Sequence, residues 1–149
     1  MSPIMSKHDA AAHVDSARIR QGRTWAELAE HLGTPLVWTT AALLGQHPLS
    51  QEQARSVCEL LGLGEDVAEG LVLQPSRGTP AEQMADPTIY RFTEALEVYG
   101  PAIKELIHEE FGDGIMSAIN FRVDFRRQPD PDGDRVVITL DGKFLDYQW

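Results

Sequence analysis

The hydrophobic residues of this chain change their spacing once, and that change limits what it can fold into. From Asp9 to Leu73 they recur three and four residues apart, whereas from Ser117 they alternate. A helix repeats at about 3.6 residues and a strand at about two, so the first half reads as helices and the end as strands. Between them, Gln74–Pro87 holds Pro75, Gly78, Pro80 and Pro87 and few large apolar side chains, the marks of a linker. The expected class is α+β: an N-terminal helical bundle over residues 1–74, a linker over 75–87 and a small C-terminal α/β domain over 88–149.

Local signals refine this. Asp9–Arg20 reads as a helix ending before Gly22. Thr24 is a helix cap with Glu27 three residues on, the pattern of a capping box, and Trp25, Leu28, Ala29 and Leu32 share one face. Gly33 ends that helix. Thr34 is expected to cap a third helix with Pro35 at its first position, running to Leu44 and stopping at Gly45. Ser50 caps a fourth, through Ala54, Val57, Cys58 and Leu61, and Glu65–Leu73 forms a fifth. Thr24–Leu44 therefore looks like a helix-turn-helix.

In the second half, Asp86-Pro87 opens a helix over Thr88–Tyr99. Gly100-Pro101 is expected to break it and restart it through Ile103, Leu106, Ile107 and Phe111. Phe111–Gly114 is a tight loop. Ser117–Arg127 then alternates, with Ile119, Phe121, Val123 and Phe125 opposite Asn120, Arg122, Asp124 and Arg126, as in a half-buried strand. Pro129–Gly133 is a turn, Arg135–Leu140 a second strand, and Asp141-Gly142 a turn into a short third strand, Lys143–Leu145. So few elements make a poor core, and the C-terminal part is expected to complete its fold by intertwining with a second copy.

Composition narrows the function. The chain has 149 residues and a formal net charge of -10, with both halves acidic. Non-specific nucleic-acid binding rests on basic residues, so this balance argues against it, and an anionic substrate needs a local cationic pocket. The expected recognition helix, Pro35–Leu44, contains no Arg, Lys, Asn or Gln, so the chemistry of base readout is missing from it. A DNA-binding or regulatory protein remains the alternative to an enzyme. No apolar run approaches the roughly 20 residues of a membrane helix, and Met1–Ala12 lacks the apolar stretch of a signal peptide, so no membrane partner and a cytoplasmic location are expected. The one cysteine, Cys58, sits among apolar residues at helical spacing and reads as core. His8, His13, His31, His47 and His108 are scattered, without metal-ligand spacing, and His108 reads as a helix-surface residue.

Three residues are candidates for a small-anion site. Arg91 and Glu94 are three apart on one helix and share a face, which suits either an active site or a plain surface ion pair. Ser117 follows Gly112-Asp113-Gly114, where backbone amides can turn toward an anion; otherwise its hydroxyl simply caps the start of a strand.

Several longer motifs carry a resemblance. Asp86–Phe92 (Asp-Pro-Thr-Ile-Tyr-Arg-Phe), His108–Phe121 (His-Glu-Glu-Phe-Gly-Asp-Gly-Ile-Met-Ser-Ala-Ile-Asn-Phe), Val137–Phe144 (Val-Ile-Thr-Leu-Asp-Gly-Lys-Phe) and Thr39–Gln46 (Thr-Thr-Ala-Ala-Leu-Leu-Gly-Gln) resemble the cyanase family in order and spacing across nearly the whole chain. The resemblance implies an N-terminal bundle similar to helix-turn-helix DNA-binding domains but not used on DNA. It also implies a C-terminal dimerisation domain with intertwined strands, and a homodecamer of five dimers with active sites at subunit interfaces. The implied reaction is bicarbonate-dependent decomposition of cyanate to ammonia and carbon dioxide through carbamate, with no metal or organic cofactor and bicarbonate as co-substrate. The family's catalytic Arg, Glu and Ser fall on Arg91, Glu94 and Ser117. Thr93 departs from the pattern, standing where the family usually has an aromatic residue.

Overall fold

A computed structural model describes residues 2–76 and 81–148. Seven helices precede one hairpin among these residues: α1 (Lys7–Arg20), α2 (Trp25–Leu32), α3 (Leu36–Leu43), α4 (Gln51–Leu61), α5 (Glu65–Val72), α6 (Ala81–Ala85) and α7 (Pro87–Phe111), then β1 (Gly114–Gln128) and β2 (Arg135–Asp146). Gly78 and Pro80 of the expected linker and Trp149 of the tail lie outside the described residues. The chain divides into two compact units: Met1–Arg77 with Val123–Thr139, and Gly78–Arg122 with Leu140–Trp149. No described helix is long and apolar enough to cross a membrane.

The first unit holds the core. Val14, Leu28, Leu43, Val57 and Leu71, one from each of the first five helices, have no exposed surface. Cys58 joins them, as its apolar spacing predicts. Capping sets the helix ends. Thr24 Oγ1 accepts from Glu27 N–H, while the full reciprocal box forms at Ser50 and Gln53. Gly33 and Gly62 take left-handed conformations, at φ 66° and 71°, and close α2 and α4. Lys7 is buried and donates from Nζ to Leu71 O at 2.6 Å, tying α1 to the end of α5.

Four local expectations are corrected. Thr34 does not cap α3. Its N–H donates to Ala29 O to close α2, its hydroxyl pairs with that of Thr39, and Pro35 holds the cap position with helix starting at Leu36. Second, the linker contains a short helix, α6, whose sequence Ala-Glu-Gln-Met-Ala is made of strong helix formers. Third, Gly100-Pro101 does not break α7, which runs 25 residues with Pro101 inside it. Proline removes one N–H, and the carbonyl left without it belongs to Glu97, an exposed residue whose backbone water can serve. Fourth, Asp141-Gly142 is not a turn: β2 passes straight through it.

The second unit buries little. α7 has no buried residue and leaves Phe92, Leu96, Tyr99, Ile103 and Leu106 exposed. Among the described residues of this unit only Gly114 and Ser117 are buried. The hairpin is antiparallel by necessity, since the short segment between Gln128 and Arg135 cannot cross over to a parallel strand. Phe121 and Val123 are half-buried as their alternation predicts, but Ile119 and Phe125, expected on the same face, are 97% and 54% exposed.

Candidate active site

The helix bearing the first two candidates is fixed at its start. Asp86 adopts an extended conformation and its carboxylate accepts from the N–H groups of Thr88 and Ile89, while Pro87 occupies the first turn, where its missing N–H costs nothing. Arg91 and Glu94 follow one turn apart. Arg91 Nη1 donates to Glu94 Oε2 at 2.7 Å. Their side chains are 74% and 47% exposed. An exposed pair like this adds little to stability, but it aims the guanidinium and leaves most of its donors free to bind an anion.

Ser117 is placed differently. It is 6% exposed on β1, and its Oγ accepts from Ile119 N–H at 3.1 Å and from Asn120 N–H at 2.9 Å. A serine hydroxyl has two acceptor lone pairs and one proton, so both lone pairs are engaged and the proton is left to donate. This local geometry favours a hydrogen-bond donor over a nucleophile, which would need a free lone pair and an adjacent base.

The chain brings Arg91 and Glu94 together; among the described residues no hydrogen bond or ion pair joins Ser117 to either. The glycine loop before Ser117 does not form the expected anion cradle at Gly112. Gly112 N–H donates to His108 O and so closes α7, and the loop sits at a helix C-terminus, whose dipole disfavours anions.

Sequence reasoning missed the surroundings of this loop. His108 is half-buried, and its Nδ1 lies 3.7 Å from Asp113 Oδ1. Phe111 stacks on Phe144 with ring centroids 5.1 Å apart, and Tyr147 N–H donates to Asp113 O. The apolar residue at the end of α7 was legible; its partner on β2 was not. Among the described residues no group of three or more His, Cys, Asp or Glu side chains is arranged to hold a metal ion.

Comparison with known proteins bears on both halves. A family model described as cyanate hydratase, N-terminal, matches residues 7–75, and one described as cyanate lyase C-terminal domain matches residues 81–149. A cyanate hydratase of Mycolicibacterium vanbaalenii is 59% identical over 146 residues, covering 97% of this chain and 95% of the relative. One from Pseudomonas syringae pv. tomato is 54% identical, covering 89% and 86%. The crystal structure of cyanase from T. urticae superposes with a TM-score of 0.83 at 38% identity, covering 92% of this chain and 96% of that one.

Proposed function

The chain belongs to the cyanate lyase family, and from that premise we propose that it decomposes cyanate with bicarbonate, as a carbon–nitrogen lyase of the cytoplasm. The observation that carries this reading is the match of both halves to the family, in a chain whose C-terminal half holds all three candidate residues.

In the proposed reaction a bicarbonate oxygen bonds to the cyanate carbon. The nitrogen takes up the bicarbonate proton and one more from solvent, the bond between the bridging oxygen and the former bicarbonate carbon breaks, and carbon dioxide leaves with carbamate remaining. Carbamate takes a further proton and separates into ammonia and carbon dioxide. The step needs no oxidant, and bicarbonate is a co-substrate; the proposal includes no metal or organic cofactor.

Two anions repel, so a cation must hold them together. Arg91 serves this role, staying charged at any working pH and offering several donors in one plane. Holding both reactants in line can itself contribute roughly 7–11 kcal/mol at best. Ser117 donates to the bound anion or to charge developing on it. Glu94 orients Arg91 or passes a proton to the nitrogen.

The same reading assigns residues 1–74 to a helix-turn-helix-like bundle not used on DNA, 75–87 to a linker and 88–149 to a catalytic and oligomerisation domain with intertwined strands. Family membership implies self-association, and we extend it to a homodecamer built of dimers with sites between subunits. The exposed apolar residues of α7 support this, as does the absence within one chain of any bond from Ser117 to Arg91 or Glu94.

The direct test is ammonia release by the purified protein from cyanate, with and without bicarbonate, in carbon-dioxide-free buffer. Release that requires both anions is expected. No release under either condition from an assembled oligomer would overturn the reading.

A further inference from the structure

Gly142 lies inside β2 yet is not there for its conformational freedom, since its φ is outside the left-handed region. Space explains it. A Cβ at this position would overlap Met116 Cγ and come within 2.5 Å of Ser117 O and 3.1 Å of Met116 Sδ. Side-chain atoms of a methionine can move aside, but a backbone carbonyl moves only with its strand. Gly114 is used the same way: its Cβ would overlap Leu145 O and lie 2.6 Å from the ring of Phe144. Two missing side chains let β1 and β2 close on each other, at Gly114 and again beside Ser117.

Gly142 packs against Met116 and Ser117, while its neighbour Asp141 is reached by Arg122 at 2.9 Å. Past Ser117, Ile119 points almost wholly into solvent, and the Ile119 and Asn120 amides turn back to Ser117 Oγ. Those two amides set the direction of the hydroxyl, and the close approach of Gly142 sets the backbone that carries it.

We propose that Gly142 is a positioning residue of the reaction, holding Ser117 and its hydroxyl in place through the Ser117 carbonyl. The proposal rests on reading Ser117 as part of the site. Substrate capture falls to Arg91, so displacing Ser117 affects turnover more than binding.

Steady-state kinetics of the assembled protein test this. Gly142→Ala is expected to lower kcat by roughly tenfold or more, as small misplacements of reacting groups do, with KM changed by less than about threefold. In a Ser117→Ala background the same substitution is expected to lower kcat no further, because its effect runs through the lost hydroxyl. Met116→Ala combined with Gly142→Ala removes the side-chain overlap and leaves the carbonyl overlap, so kcat is expected to stay low. Wild-type kcat in Gly142→Ala or in that double variant, or an undiminished further loss in the Ser117→Ala background, would overturn the proposal. If Gly142→Ala alone does not assemble, the double variant carries the test; failure of both to assemble would make Gly142 a residue of the fold only and would overturn it too. Wild-type kcat in Ser117→Ala would instead overturn the assignment of Ser117 to the site.

Discussion

Arg91 Nη1 meets Glu94 Oε2 at 2.7 Å one turn away on α7, with both side chains open to solvent. The carboxylate touches one edge of the guanidinium and leaves the rest unoccupied, so the pair is an oriented cation, not a closed ion pair. Arg91→Leu is therefore expected to lower kcat/KM for cyanate by at least about a hundredfold, the usual cost of removing one charge-stabilising donor. The oligomer should survive, because an exposed pair contributes little to folding. Size-exclusion chromatography beside the ammonia assay checks both points.

The lack of any bond from Ser117 to this pair within one chain predicts complementation. Arg91→Leu and Ser117→Ala oligomers, each impaired, are expected to regain activity when unfolded together and reassembled. Random mixing restores about a quarter of sites if each site takes these residues from different subunits of a symmetric assembly. If each site draws them from one subunit, the mixture would stay at the mean of the two variants.

Lys7 gives a pH dependence of stability. Burial holds its ammonium pKa below the ordinary 10.5. Between the folded and unfolded values the unfolded chain binds more protons, so stability rises with pH across that window and levels off above 10.5. Lys7→Met should abolish this rise. Its direct cost should be modest, since Leu71 O keeps the N–H of Leu49 as a donor. Chemical denaturation of both proteins from neutral to alkaline pH, at fixed protein concentration, measures the difference.

Cys58 should be inert in the folded protein. Its thiol is pushed up to about 11, first by burial and then by the carboxylates of Glu65 and Asp66. At pH 8 such a thiol holds on the order of a hundredfold less thiolate than a free one, and burial slows access further. Iodoacetamide should label it only after denaturation; labelling of native protein at the rate of a free thiol would contradict the packing around α4.

The parts of the fold that could be read from sequence are those decided within one helical turn. Ser50 at the start of α4, Gly33 after Leu32, and Asp86 before Pro87 each act on neighbours a few residues away, and each stands where its chemistry predicts; the reciprocal box expected at Thr24 and Glu27 forms instead at Ser50 and Gln53. Thr34 misled because two helices compete for it: closing α2 engages its N–H, and Thr39 takes its hydroxyl. Pro101 misled because a helix of 25 residues can absorb the loss of one N–H, here on an exposed stretch around Glu97. At the candidate site, Arg91 and Glu94 were legible from their spacing as a pair on one face. The amides that grip Ser117 were not, because alternation across β1 assigns side chains to faces and says nothing of backbone N–H groups that turn back to a hydroxyl.

Sequence by itself determined the helical first half, the two strands at the end and the acidic balance of both halves, each from residue type and short-range spacing; Arg91, Glu94 and Ser117 became candidates together only through the resemblance of longer motifs. Tertiary structure decided that Gly142 is a point of close approach and not a turn, that the Ser117 hydroxyl accepts two backbone amides and keeps its proton to donate, and that among the described residues Ser117 makes no bond to Arg91 or Glu94 in one chain. Those outcomes depend on distances between strands and on where backbone amides point, and a glycine or serine has the same composition in a turn as in a pinched hairpin.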